Sequence, residues 1–167
     1  MHPKAGTGAD IDCRIGAIVF DIADLAGAFV LAIDIDEKNI IQAKTVHPHP
    51  NIDYRIGDAM KDLPSTRFDT VILSNVLEHL DQRVKFLINV VERASPKRLL
   101  IRVPLYDRCW QVPLREEIGA EWRLDSSHQI EYTQETFKKE MKVAGLEITH
   151  LEIRWGEIWA EVVPNGK

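Results

Sequence analysis

Cysteine is scarce in this chain: Cys13 and Cys109 are its two thiols in 167 residues. Two cysteines build no disulfide framework and lack the spacing of a zinc ligand set, so the expected setting is reduced and cytoplasmic. No apolar run reaches the roughly 20 residues that span a bilayer. The opening ten residues, MHPKAGTGAD, hold no apolar stretch of the kind a secretory leader needs. Basic residues are outnumbered, 21 Lys and Arg against 26 Asp and Glu, for a net charge of −5. A chain without an excess of basic charge is not expected to coat phosphates, so neither nucleic acid nor a membrane is an expected partner. No internal repeat or low-complexity segment is present. What remains is 45 % hydrophobic and 28 % charged residues, the balance of a globular protein. The length fits a single domain over residues 1–167.

Short apolar runs alternate with helical stretches, which predicts a mostly parallel sheet with helices on both faces. A weak first strand lies around Ala9–Asp12, and residues 1–8 read as a flexible tail. A nearly all-apolar helix follows over Ala17–Leu25, closed by Gly27. Phe29–Ile33 is a continuous apolar run ending at Asp34, as in a strand buried on both faces. Asp36 is placed to cap a short helix through Ala43. Ile52–Ile56 and Asp69–Leu73 read as strands three and four. Asp81 is expected to cap a helix whose stripe is Val84, Leu87, Ile88 and Val91. Arg98–Val103 is a fifth strand. Residues 105–131 lack periodicity, and so long a connection reads as a substrate-side loop or lid. Thr133 caps a last helix, and Leu146–Ile153 with Ile158–Val163 form a hairpin around Trp155-Gly156. The expectation is seven strands and four or five helices.

In such a sheet, ligands bind beyond the carboxyl ends of the strands. Those ends carry Asp10 to Gly16, Asp34-Ile35-Asp36, Gly57-Asp58-Ala59 and Ser74 to His79. A carboxylate at Asp34 can accept two hydrogen bonds from vicinal ribose hydroxyls, or it can simply cap a strand end. Asp58 can meet an adenine amino group or sit in a common turn. His47-x-His49 has no third metal ligand and lies between prolines, so no metal is expected.

Four blocks in this order resemble the class I S-adenosylmethionine-dependent methyltransferases of small molecules. They are Asp10-Ile11-x-Cys13-x-Ile15-Gly16, Ala32-Ile33-Asp34-Ile35, Gly57-Asp58-Ala59 and the run from Phe68 to Leu80. The resemblance covers roughly residues 9–163. It implies an α/β, Rossmann-like, seven-stranded and mostly parallel sheet whose last strand is antiparallel. S-adenosylmethionine is the implied cofactor and a small-molecule acceptor the implied partner, with a homodimer or a partner subunit also compatible. By the same resemblance Asp10 and Gly16 border the methionine part of the cofactor. Asp34 binds ribose, Ile35 packs on adenine, Asp58 and Ala59 hold the adenine edge, and Asn75 lines the transfer site.

Two departures stand out. The family's glycine-rich loop carries Asp12 and Arg14 where glycines are usual, and few residues precede the first strand where the family places a helix. Side chains at a left-handed backbone cost about 1–2 kcal/mol and crowd a ligand, so weakened cofactor binding is expected unless Arg14 meets the cofactor carboxylate and Asp12 its amine. A catalytically impaired, partner-type domain is therefore the alternative reading. A nicotinamide-dependent oxidoreductase is disfavoured by the missing Gly-x-Gly-x-x-Gly. If the acceptor must lose a proton, His128 in the long loop and His79 are the candidate catalytic residues. Tyr106, Trp110 and Trp122 are candidates to wall the acceptor pocket. Arg102, Arg108, Arg115 and Arg123 lend that region a locally basic character.

Overall fold

The computed structural model describes residues 6–166. Seven strands form one sheet: β1 (Thr7–Ile11), β2 (Phe29–Asp34), β3 (Ile52–Ile56), β4 (Thr70–Ser74), β5 (Arg98–Pro104), β6 (Leu146–Arg154) and β7 (Glu157–Pro164). Their order is β3-β2-β1-β4-β5-β7-β6, with β7 antiparallel to both β5 and β6. The Rossmann-like sheet with an antiparallel last strand is thus the fold of this chain. The first strand starts two residues earlier than the sequence pattern predicts, so Thr7 and Gly8 belong to the sheet rather than to a tail. Gly8 pairs with Val30 on one side and Thr70 on the other. The remainder of the expected tail, residues 1–5, lies outside the described residues.

Alternation in the strands divides the core. Ala9, Ile11, Leu31, Ile33, Val71, Leu73, Leu99 and Ile101 face α4 (Arg83–Ala94) and α6 (Gln134–Val143), which contribute Phe86, Leu87, Val90, Phe137 and Met141. Val30, Ala32 and Tyr54 face α1 (Ala17–Ala26) and α2 (Glu37–Val46), which contribute Val19, Ala23, Ile40 and Ala43. Beyond β1 this second face carries no helix among the described residues. There Ile72, Leu100 and Trp159, together with Ile18 and Ile22 of α1, line an open groove of about 560 Å³. This explains why the apolar α1 is less buried than its composition predicts.

Several local expectations are corrected. Asp36 does cap α2, its carboxylate accepting from the Lys38 N–H at 2.8 Å, but the helix runs on to Val46. Asp81 caps nothing: α4 begins at Arg83 without a side-chain cap. Its buried stripe is Phe86, Leu87, Val90 and Ala94, while Ile88 is exposed. Arg83 holds this rotation by pairing with Glu140 of α6 at 2.8 Å and donating to the Leu80 carbonyl, which turns the large Phe86 ring inward. Thr133 caps α6 in a reciprocal box with Thr136.

The expected long loop is also partly ordered. It contains a short 3-10 turn (Tyr106–Arg108) and α5 (Gln111–Glu117), with Val112 fully buried. Pro113 sits in the first turn of α5, where its missing N–H costs nothing. A further helical piece missed from sequence, α3 (Ala59–Asp62), is a single turn after β3.

Candidate active site

The carboxyl ends of β1, β2 and β4 and the turn after β3 surround a cavity of about 550 Å³. That is within the usual range for a small-molecule site. Asp34, Ile35, Asp58, Ala59, Asp12, Arg14, Asn39, Val76 and His79 all line it. A smaller cavity of about 170 Å³ lies next to it and shares Asp12 and Arg14; Asp10, Gly16, Asn75 and Arg102 line that one. The sequence-predicted cofactor residues therefore gather at one sheet edge, in two adjoining compartments.

The loop after β1 sets the geometry. Its backbone is left-handed at Asp12 (φ 62°), Arg14 (φ 49°) and Gly16 (φ 77°). The chain thus keeps a glycine-type loop with two side chains where glycine would be unstrained, at about 1–2 kcal/mol each. Hydrogen bonds offset this strain. The Arg14 N–H donates to Asp34 Oδ2 at 2.7 Å, and the Cys13 N–H donates to the Ile33 carbonyl at 3.1 Å. Gly16 alone is irreplaceable in space: a Cβ there would stand 2.6 Å from the Tyr54 hydroxyl. Tyr54 in turn donates to the His47 carbonyl at 3.0 Å, and a His47 ring nitrogen sits 2.8 Å from the Ile15 carbonyl. His47 pins the loop, a role its sequence setting ahead of Pro48 does not reveal.

Asp34 is 2 % exposed. Besides Arg14, its carboxylate accepts from the Asp36 N–H at 2.8 Å and from the Asn39 amide at 3.2 Å. These donors fix its orientation at the cavity wall. Ile35 is 72 % exposed, an apolar side chain held at the mouth. Asp58 caps α3 through the Met60 N–H at 2.9 Å and pairs with Lys61, which holds its carboxyl below the usual range. Asp10 is buried, and its Oδ1 lacks a hydrogen-bond partner among the described residues. Burial, with Asp12 and Asp34 nearby, pushes its pKa up to about 8. The same forces, burial first and then Asp34, raise Asp12 to about 6. Asn75 takes a left-handed turn at the end of β4 (φ 58°) and accepts from Arg102 at 3.0 Å.

The histidines come together on the far side of β4. His79 and His128 stack edge to face, ring centroids 4.9 Å apart. His128 is buried, contrary to the surface position its loop setting implies. Its Nδ1 lies 2.9 Å from Glu131, and Glu131 also receives Arg108 at 2.7 Å and the Leu124 N–H at 3.2 Å. The Gln129 N–H donates to the Glu78 carbonyl at 2.6 Å, clamping the loop onto the turn after β4. Glu78 is fully buried, and neither carboxylate oxygen has a partner among the described residues. Desolvation raises it to about 7. Glu78 and Glu131 are functional candidates that periodicity could not flag, because the residues they meet are distant in sequence.

The family model for a methyltransferase domain matches residues 9–100. The chain belongs to the class I S-adenosylmethionine-dependent methyltransferases. Among curated relatives, the ubiquinone biosynthesis O-methyltransferase of Bradyrhizobium diazoefficiens is 32 % identical over 118 residues, 69 % of this chain and 46 % of that protein. The chain spans about half the length of the curated relatives it matches. Among solved structures, a methyltransferase of Haloferax volcanii in complex with the Trm112 methyltransferase activator superposes with a TM-score of 0.79 at 12 % identity, covering 96 % of this chain and 84 % of that one. An S-adenosylmethionine-dependent methyltransferase of Mesorhizobium loti gives 0.73 at 20 % identity, covering 95 % and 91 %.

In this chain the aromatic wall is not assembled as expected. Trp110 is 70 % exposed, and Trp122 packs on Tyr106 at 6.2 Å beside a shallow surface depression rather than in the main cavity. Three of the four arginines of the region are paired with carboxylates: Arg102 with Glu157 at 3.7 Å, Arg108 with Glu131 and Arg123 with Glu121. No helix of the described residues is long and apolar enough to cross a membrane.

Proposed function

We propose that this chain transfers a methyl group from S-adenosylmethionine to a hydroxyl of a small molecule in a cytoplasmic setting. The supporting observation is the convergence of Asp34, Ile35, Asp58 and Ala59 on one cavity, with His79 on its wall and His128 behind it. The residues fit the cofactor: a strand-tip carboxylate for a ribose, an exposed isoleucine for a flat base, and an unpartnered buried carboxyl at Asp10 for the methionine end. S-adenosylmethionine supplies an electrophilic methyl group, and the protein supplies orientation.

In this reading Asp34 and Asn39 orient the ribose, Ile35 covers the adenine face, and Asp58 with Ala59 meets its edge. Asp10 and Gly16 border the methionine part. Asn75 and Arg102 close the transfer side. His128, its Nδ1 held by Glu131, and His79 beside it are the groups that would activate the acceptor hydroxyl. The printed name of the curated relatives motivates the choice of oxygen as the methylated atom.

Isothermal calorimetry with S-adenosylhomocysteine tests this. Saturable binding that Asp34→Ala weakens by roughly tenfold or more supports it, because about 1.4 kcal/mol accompanies each factor of ten. No binding by the natural chain, with binding gained in Arg14→Gly, would instead place it among non-catalytic relatives.

A further inference from the structure

Glu78, His79 and His128 each offer a ligating atom, and these atoms all lie within 4.8 Å of one another. Each imidazole is already held through one nitrogen. His79 Nδ1 meets the Ser127 hydroxyl at 3.0 Å, and Ser127 in turn donates to Asp125 at 2.7 Å. His128 Nδ1 meets Glu131 at 2.9 Å. Metal-binding histidines are oriented in this way, with one ring nitrogen tied to a carboxylate or hydroxyl and the other left free. The third member is more telling. Glu78 is fully buried, and both its oxygens lack hydrogen-bond partners among the described residues. A buried carboxylate that keeps its charge without partners is costly, and a cation beside it removes the cost.

We propose that Glu78, His79 and His128 form a binding site for one divalent transition-metal ion of the zinc or cobalt type. Two imidazoles and one carboxylate are borderline ligands, which suit these ions better than magnesium or calcium. Zinc-ligand bonds of about 2.0–2.2 Å require the three donors to draw in by up to roughly an ångström. The turn after β4 and the loop ahead of α6 supply that freedom, since neither is a strand or an α-helix. His79 also lines the main cavity, so the ion would stand between the cofactor compartment and the acceptor side.

The catalytic use of the site rests on the methyltransferase reading; the binding itself does not. An acceptor hydroxyl held by the ion becomes more acidic. Its proton passes to solvent, the oxygen lone pair forms the new O–CH3 bond, and the C–S bond breaks with its electron pair left on sulfur. The imidazoles are then ligands, and neither serves as the base.

The test uses chelator-treated full-length protein and cobalt chloride. The expected result is a visible d–d absorption that saturates at one ion per chain. His128→Gln and His79→Gln should each weaken it by roughly tenfold or more, whereas His150→Gln, on the exposed strand β6, should not. Thermal melts of each variant check folding, and the partly exposed His79 keeps the test valid if a His128 variant does not fold. Absence of a saturable signal, or binding unchanged in both cluster variants, overturns the proposal. Calorimetry with S-adenosylhomocysteine on the same samples separates the two readings. Cofactor-product binding without cobalt binding removes only the metal site. Cobalt binding without cofactor-product binding removes only the methyl-transfer role.

Discussion

Replacing Glu131 by alanine perturbs the carboxylate that ties the start of the 105–131 segment to its end. Its side chain is wholly buried and accepts from Arg108, His128 and the Leu124 N–H. A hydrogen bond to a charged group is worth about 1.5–3 kcal/mol. Removing one partner of a buried ion pair typically costs about 3–5 kcal/mol, because the other charge stays desolvated. Arg108 is largely buried, at 19 % side-chain exposure, so the full range applies. The expected loss for Glu131→Ala is therefore about 3–5 kcal/mol. Urea unfolding followed by tryptophan fluorescence reads it. With a slope near 2 kcal/mol/M the midpoint falls by roughly 2 M. A double-mutant cycle with Arg108→Ala should return a coupling of at least about 1 kcal/mol. A single-mutant loss under about 1 kcal/mol, or additive effects in the cycle, would show that the two ends of the segment are not held together through this pair.

Three further outcomes follow from the site. Gly16→Ala should destabilise by about 2–5 kcal/mol, combining the left-handed backbone with the clash against Tyr54; a Tyr54→Leu background should relieve at least about 1 kcal/mol of this, and unfolding midpoints measure both. Asp10 has a folded pKa raised to about 8 from 3.8, so the folded state holds a proton that the unfolded state has released. Stability is then greatest near and below the unfolded pKa and declines as pH rises from about 4 to 8. Asp10→Asn should flatten that decline, and a pH series of urea midpoints with the same slope in both proteins would refute it. Asp34→Ala should also free the Arg14 N–H, so its loss of S-adenosylhomocysteine binding should come with a lower thermal midpoint.

Much of the sheet was legible in the sequence. The continuous apolar runs at Phe29–Asp34 and Thr70–Ser74 are short and bounded by polar residues, as strands are, and their polar ends mark the binding edge. Asp36 and Thr133 announced their helices by cap chemistry. The α4 stripe was less legible, because two apolar faces compete in Val84–Val91 and only the Arg83–Glu140 pair between helices selects one. Asp34 was readable as a strand-tip carboxylate. Its anchoring by Arg14, Asp36 and Asn39 was not, since the Arg14 contact depends on a left-handed loop that folds back over it.

Local propensity and periodicity thus determined the strands, most helices and the edge where ligand-facing carboxylates collect. These signals act between neighbours in the chain and survive in any window of sequence. Tertiary structure decided the rest. It set the rotation of α4, buried His128, and left the face of β4, β5 and β7 open. It also joined Glu78 and His79 to a histidine 49 positions later. Contacts at that separation depend on how loops close over the sheet, and no short stretch of sequence records that closure.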